Sequence, residues 1–373
     1  MLVAAPALGK LVVWALIVCL VAAFAVAPVL LSHDVFSYVD YARLGVVHGL
    51  DPYVHTPSAV PTDPAFADVT WTDATSAYGP LFTLATYPLA WLPVGLAVAV
   101  LKGVAALSVL ALAALVARLA AWRGTDPLRA AAFVALNPLV LVHVVGGAHN
   151  DGLMMLLAML AVAAILVGRE ASAGAALVAA VAVKTAAAFI TPFALVAAAR
   201  PRRKRTFTRI AVESAFSPDG AARSAFSEWR PLGRLAAGAL AAALVLGLAA
   251  YLGFGWDWLH AFGLAGENQS RTSHLSIPTT VARLFASDEE PYRAAALALY
   301  AAAIAWLLVW TARGGDWVRA AGWAALGLLL ATSWLLPWYL IWALPLAAIS
   351  RDRPLQLLTL ALTAYQLGAR IPL

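Results

Sequence analysis

Again and again along this sequence an apolar stretch runs for about 20 residues with few charges before arginines, glycine or proline close it; residues 95–121 and 234–254 are examples. A helix of that length matches the hydrocarbon core of a bilayer, about 30 Å thick. In hydrocarbon no water satisfies backbone N–H and C=O groups, so such segments are helical. Composition agrees: 63% of the residues are hydrophobic and 12% are charged, against about half and a quarter in soluble domains. The sequence therefore predicts an all-α polytopic membrane protein.

The apolar periods predict about eleven helices, near residues 11–31, 95–121, 128–146, 152–168, 172–184, 186–199, 234–254, 293–311, 318–335, 338–350 and 355–369. The pair 172–184 and 186–199 reads either as one tilted helix or as two half-length ones. Residues 11–31 read as a retained first helix, because the run exceeds a usual signal-peptide core. Three segments fall outside the apolar runs: a long first outer loop, 32–94; a basic inner loop, 200–233; and a second outer loop, 255–292. They belong to one transmembrane domain spanning 1–373.

The net charge of +6 does not point to nucleic acid, because the basic residues sit between apolar segments. With Lys10 inside, Arg118, Arg123, Arg129, Arg169, Arg313, Arg319, Arg351 and Arg353 all fall on the cytoplasmic side of a plasma membrane. The opposite orientation inverts this bias. The alternation requires 172–199 to cross and return, with Lys184 at the outer turn, and 80–92 not to cross. The basic run at 200–205 reads as a topology signal, with anionic lipid as an alternative partner. The single cysteine, Cys19, permits no internal disulfide.

Polar residues gather in the outer segments. Asp34 follows the first helix closely, and Asp34, Ser37, Tyr38 and Tyr41 have the spacing of one face of a short helix. A carboxylate there suits general-base work on a lipid-borne donor, or it caps the helix. Tyr78-Gly-Pro precedes a short aromatic helix, 80–92, that suits the membrane interface. In Gly146-Gly-Ala-His-Asn-Asp, the glycines allow close backbone approach and His149 suits a phosphate or sugar hydroxyl. Asn150 or Asp151 caps the next helix, whose free N–H groups favour an anion.

Lys184 interrupts an apolar stretch, where a cation is either functional or reaches back to the interface. Lys102 reads as the latter. Arg271 and His274, separated by hydroxyl residues, suit a phosphate cradle or plain solvation. Trp334, Trp338 and Trp342 form an aromatic belt at an outer interface, or a wall for a lipid tail or a stacking surface for a sugar. No histidine pair has metal-ligand spacing, and no nucleotide-binding glycine motif is present, so no metal and no cofactor are expected.

Taken in order, Asp34-Val-Phe-Ser-Tyr, Gly49-Leu-Asp-Pro-Tyr, Tyr78-Gly-Pro-Leu, Asn137-Pro-Leu-Val, Gly146-Gly-Ala-His-Asn-Asp, Val183-Lys and Pro337-Trp-Tyr-Leu-Ile-Trp-Ala-Leu-Pro resemble the actinobacterial polyprenol-phosphate-mannose-dependent α-1,6-mannosyltransferases. Phe36 stands where the family pattern has Tyr, and 200–233 has no evident counterpart. The resemblance implies the C-type glycosyltransferase (GT-C) fold with an extracytoplasmic active site. It implies a polyprenyl-phosphate sugar as donor and a glycolipid or mannan as acceptor, as in lipomannan assembly. It places the catalytic carboxylate at Asp34, donor-phosphate contacts at Lys184, Arg271, His149 and His274, and substrate contacts at Tyr38, Tyr78, Asn150, Asp151, Trp338 and Tyr339. Another lipid-linked hexose or pentose as donor, a lipid-linked sugar flippase and a membrane scaffold are the competing readings. Convergence of Asp34, Lys184 and Arg271 on one outward cavity favours the transferase over the scaffold. A midplane cavity open to both sides favours transport.

Overall fold

The computed structural model describes residues 9–200, 219–267 and 270–369. Of the basic run 200–205, residues 201–205 lie outside the described residues. Among the described residues the protein is all-helical, with no strand. Its α-helices are α1 (Lys10–Val26), α2 (Asp34–Val46), α3 (Pro80–Thr86), α4 (Val94–Arg123), α5 (Pro127–Ala135), α6 (Asp151–Val167), α7 (Glu170–Val183) and α8 (Thr191–Ala199). They continue as α9 (Asp219–Phe254), α10 (His260–Glu267), α11 (Ile277–Leu284), α12 (Glu289–Ala312), α13 (Trp317–Ala331), α14 (Leu344–Ile349) and α15 (Arg353–Gly368).

Among the described residues, three helices are long and apolar enough to cross a membrane: Val94–Arg123, Arg230–Phe254 and Glu289–Ala312. The first would rise about 45 Å at 1.5 Å per residue. The other two leave most of their apolar surface outside the packed core. Leu240, Leu244, Leu248 and Leu252 on α9 are exposed, as are Leu299 and Trp306 on α12. In water this would be a large unburied apolar face; in hydrocarbon it needs no covering.

Several expected single spans are interrupted. The stretch 128–146 is α5, a break at Asn137-Pro138, and a π-helical turn, Val140–Val145. Proline lacks an amide hydrogen and disfavours helix in the residue before it. Asn137 bridges the break: its Oδ1 accepts from the Leu139 amide at 3.0 Å, and its Nδ2 donates to Thr363 Oγ1 on α15 at 3.1 Å. The pair 172–184 and 186–199 is not one helix. The chain is extended at Lys184 (φ −155°, ψ 126°) and resumes as a 3₁₀ turn, Thr185–Ile190, before α8. Stretch 338–350 likewise divides into a 3₁₀ turn, Pro337–Trp342, and α14. The first helix ends at Val26 rather than 31. Helix α9 starts at Asp219, inside the segment read as loop, and carries Pro231 within it.

Lys102, expected to reach toward the interface, reaches the end of the first helix. It is 4% exposed, and its Nζ donates to the carbonyls of Ala27 and Pro28 just past α1. Carbonyls at a helix C-terminus lack intrahelical partners and attract a cation, so Lys102 ties α1 to α4. At the far end of α4, aspartates do the fastening. Asp126, Asp316 and Asp352 cap α5, α13 and α15 through backbone amides. Asp316 also pairs with Arg123, and Asp352 with Arg319.

Helices α7 and α9 meet backbone to backbone. A Cβ at Gly174 would collide with the Leu235 carbonyl, and one at Gly238 with the Ala171 carbonyl. Small residues allow this approach, which lets packing contacts hold helices where hydrocarbon supplies no hydrophobic drive. Gly238→Val is therefore expected to separate the pair and lower the thermal midpoint in detergent, measured by tryptophan fluorescence. An unchanged midpoint would show that α9 is not needed to hold α7.

Candidate active site

Breaks in the helices bring polar side chains to one place. An open cavity of about 330 Å³, at the low end of the usual ligand-pocket range of roughly 300–1,000 Å³, lies between α2, the 69–78 loop, the Lys184 break, the Arg271 loop and the Pro337–Trp342 turn. Its polar lining includes Asp34, Lys184 and Arg271; its aromatic lining includes Tyr78, Trp338, Tyr339 and Trp342. Leu264, Leu328, Leu336 and Ala186 form an apolar part of the wall.

Asp34 does not act as a helix cap. It is the first residue of α2, whose N-cap position is His33 with no side-chain capping bond. Its Oδ1 instead accepts from Trp71 Nε1 at 3.0 Å. Its Oδ2 lies 3.6 Å from His149 Nδ1, beyond direct hydrogen-bond range. Burial pushes the Asp34 carboxyl above its ordinary 3.8, against the opposing pull of the Trp71 hydrogen bond and the Lys184 charge. A carboxylate raised in this way is a stronger base once ionised.

The helix face expected from spacing divides between two layers. Tyr41 lines the cavity and donates from its hydroxyl to the Ala74 carbonyl at 2.8 Å, which fixes the 69–78 loop. Ser37 and Tyr38 are buried behind it, Tyr38 edge-on against Tyr78 and Phe82. Tyr38 thus packs beneath the cavity instead of lining it, because its ring completes the core between α2 and α3.

Lys184 reaches the cavity from its extended residue, and its Nζ donates to Asp151 Oδ2 at 2.7 Å. Trp342 Nε1 donates to the other oxygen, Oδ1, at 2.7 Å. The ammonium lies 5.2 Å from the Tyr339 ring centroid and 6.0 Å from that of Trp342. Asp151 is fully buried and makes no capping bond, so it holds Lys184 and is no part of the cavity wall. Its own carboxylate stands at the start of α6, which removes that helix N-terminus as a free anion site.

His149 and Asn150 are also placed differently from the expectation. Ala148 is held at φ 56°, a left-handed conformation costing an alanine about 1–2 kcal/mol. The turn buries both following side chains behind the cavity. The His149 ring stacks on Trp338 at 3.8 Å between centroids. Burial, with the nearby Lys184 charge and His143, holds its pKa well below the ordinary range. The fully buried ring lies behind the cavity, 3.6 Å from Asp34 and against the Trp338 wall, and is not part of the cavity lining. Neither Asn150 nor Asp151 touches the cavity.

Arg271 stays at the rim, its guanidinium 5.2 Å from the Trp71 ring centroid and 6.0 Å from that of Trp334. Ser273 fastens its loop, donating from its amide to the Ser333 carbonyl at 2.8 Å and from Oγ to the Leu335 carbonyl at 2.9 Å. His274 is exposed and does not line the cavity; its carbonyl accepts from Arg283 instead. Sequence reasoning missed Trp71 and read Trp334 only as part of an aromatic belt or wall. An isolated tryptophan such as Trp71 carries no spacing signal, and only the fold brings both rings beside a charged group.

The family profile described as "Alpha-(1->6)-mannopyranosyltransferase, N-terminal domain" matches residues 2–200, more than half of the chain. This chain belongs to that family. Alpha-(1->6)-mannopyranosyltransferase A of Mycobacterium tuberculosis is 30% identical over 353 residues, covering 86% of this chain and 63% of the relative. The protein of that name from Corynebacterium glutamicum is 31% identical over 194 residues, covering 50% of this chain and 38% of the relative. The chain thus spans less than two thirds of the length of these curated relatives. No solved structure matches. The family match reaches Asp34, Trp71, Tyr78 and Lys184 but stops short of Arg271 and Trp338.

Proposed function

We propose that this chain transfers mannose from a polyprenyl-phosphate-mannose donor to a hydroxyl of a glycolipid or mannan acceptor, with inversion, forming an α-1,6 linkage. The fold in this reading is GT-C, with about eleven membrane segments in the plasma membrane and the cavity facing outward. One observation carries it: a buried-side carboxylate and two cations, Asp34, Lys184 and Arg271, share a cavity whose remaining wall is aromatic and aliphatic.

Asp34 accepts the proton of the acceptor hydroxyl as that oxygen attacks the anomeric carbon. The bond from that carbon to the phosphate oxygen breaks on the opposite face, and the lipid phosphate leaves with its charge. Lys184 and Arg271 meet that charge, each contact supplying about 2–4 kcal/mol of transition-state stabilisation by analogy with single oxyanion donors. Tyr78, Trp338 and Tyr339 offer ring faces to the sugar. Leu264, Leu328 and Leu336 suit the first isoprenoid units. No metal or cofactor enters the reaction.

The test uses purified protein, synthetic polyprenyl phosphates bearing mannose or glucose, and short mannoside acceptors. An α-linked mannosyl product from the mannose donor supports the reading. Transfer only from glucose, or none, overturns the sugar assignment or the activity.

The orientation has its own test. In a Cys19→Ser background, Asp73→Cys and Ser270→Cys, both at exposed positions, are each expected to react with a membrane-impermeant maleimide in intact cells. Protection of both until the cells are lysed would reverse the orientation.

A further inference from the structure

Trp71 stands between the two charged ends of the cavity. Its Nε1 donates to Asp34 Oδ1 at 3.0 Å, while its ring carries the Arg271 guanidinium 5.2 Å from the centroid. Trp334 approaches edge-on, 6.3 Å away between centroids, and lies under the same guanidinium. The tryptophan is held from both sides along the chain. The Thr72 carbonyl accepts from the Ser58 amide at 2.9 Å, and the Ala74 carbonyl from Tyr41 of α2 at 2.8 Å. The helix that carries Asp34 thus also fastens the loop that supplies its partner.

We propose that Trp71 is the positioning residue of this site, orienting the Asp34 carboxylate through its indole N–H and registering Arg271 against that carboxylate through its ring face. The assignment rests on the proposed transfer for its kinetic consequence, but its geometric content stands without it. Oδ1 of Asp34 is engaged by Trp71, while Oδ2 stands 3.6 Å from His149 with no hydrogen bond between them, so the Trp71 bond sets the rotation of the carboxylate. A proton-accepting oxygen must be held within a fraction of an ångström to meet a hydroxyl. Arg271 shares no ion pair with Asp34 among the described residues; the ring is what connects them. Stacking leaves the outward edges of the guanidinium free for a phosphate.

Trp71→Phe keeps an aromatic face and removes the donor. Benzothienylalanine at position 71 keeps the full ring shape and removes only the N–H, which covers the case in which the phenylalanine protein fails to fold. The first readout is the pH dependence of carbodiimide labelling at Asp34, followed by mass spectrometry. It reports the protonated carboxyl whether or not the protein is catalytically active. The Trp71 hydrogen bond favours the ionised carboxylate, so its loss is expected to move the labelling midpoint up by about one pH unit. The second readout is kinetic: kcat is expected to fall about tenfold, with the acid limb of kcat/KM displaced in the same direction and donor KM little changed. Arg271→Gln, by contrast, is expected to raise donor KM and leave the labelling midpoint in place. An unmoved midpoint in both Trp71 replacements overturns the assignment. Absence of transfer by the wild-type protein overturns the proposed function instead, and the labelling midpoint still decides the role of Trp71.

Discussion

Asp34→Asn is expected to lower transfer from polyprenyl-phosphate-mannose by about 10²–10⁴-fold, the range over which a general base acts. Asparagine keeps the shape and still accepts the Trp71 hydrogen bond, so the cavity wall is preserved. What it loses is the capacity to take a proton. Stability should move the other way. The folded state raises the Asp34 pKa above 3.8, so between the unfolded and folded values the folded protein binds more protons than the unfolded chain. Folding stability therefore declines as pH rises through that window, and the penalty is complete above the folded value. Asparagine carries no such penalty. The thermal midpoint of Asp34→Asn at neutral pH is expected to equal or exceed that of the wild type. Undiminished transfer would remove Asp34 from the mechanism, and lost transfer with a lowered midpoint would make its role structural. In the wild type, activity should fall with acidification at a pH above the ordinary carboxylate range, because Asp34 must be ionised to act.

Lys184→Ala is the second large effect, and it has two parts. Removing one cation from the leaving phosphate is expected to cost about 10²–10³-fold in turnover. It also strands Asp151, whose side chain is fully buried against Lys184 and Trp342. Breaking a buried pair from one side costs roughly 3–5 kcal/mol, because a charge is left without its partner. The thermal midpoint should therefore drop along with activity. The double variant Lys184→Met with Asp151→Asn separates the parts. It removes both charges, and the asparagine still accepts from Trp342. Stability is expected to return while transfer stays low. If the double variant transfers like the wild type, Lys184 has no part in the chemistry; if it stays as unstable as Lys184→Ala, the loss was never electrostatic.

The clamp on the 48–68 loop shows what a sequence can hide. Asp63 accepts from Arg43 Nε at 2.8 Å and lies 2.7 Å from His48 Nε2. Burial pushes its carboxyl up, but the hydrogen bonds from Arg43, His48 and the Ala65 amide outweigh that and hold it below the usual carboxylate range. None of these residues has motif spacing. Asp40, buried beside them, is pushed up to about 7 by burial and by Asp63. The network ties α2, the helix that begins at Asp34, to the 48–68 loop.

By itself the sequence determined that the chain is helical and strongly apolar, because hydrocarbon demands apolar helices, but it did not place the breaks that divide several of the expected single spans. It also marked Asp34, Lys184, Arg271, Tyr78, Trp338 and Tyr339, since polar or aromatic groups beside apolar runs are costly or positioned there for a reason; all six line the cavity. Only the tertiary structure decided which polar groups face that cavity and which support it. Tyr38, His149, Asn150 and Asp151 read from spacing like site residues, yet the chain turns them into the layer behind. Trp71 carried no local signal and became a partner of Asp34 across 37 positions. The physical reason is that burial and pairing are properties of packed neighbours. Periodicity reports which face of a helix a residue occupies, and the neighbours meeting that face come from distant parts of the chain.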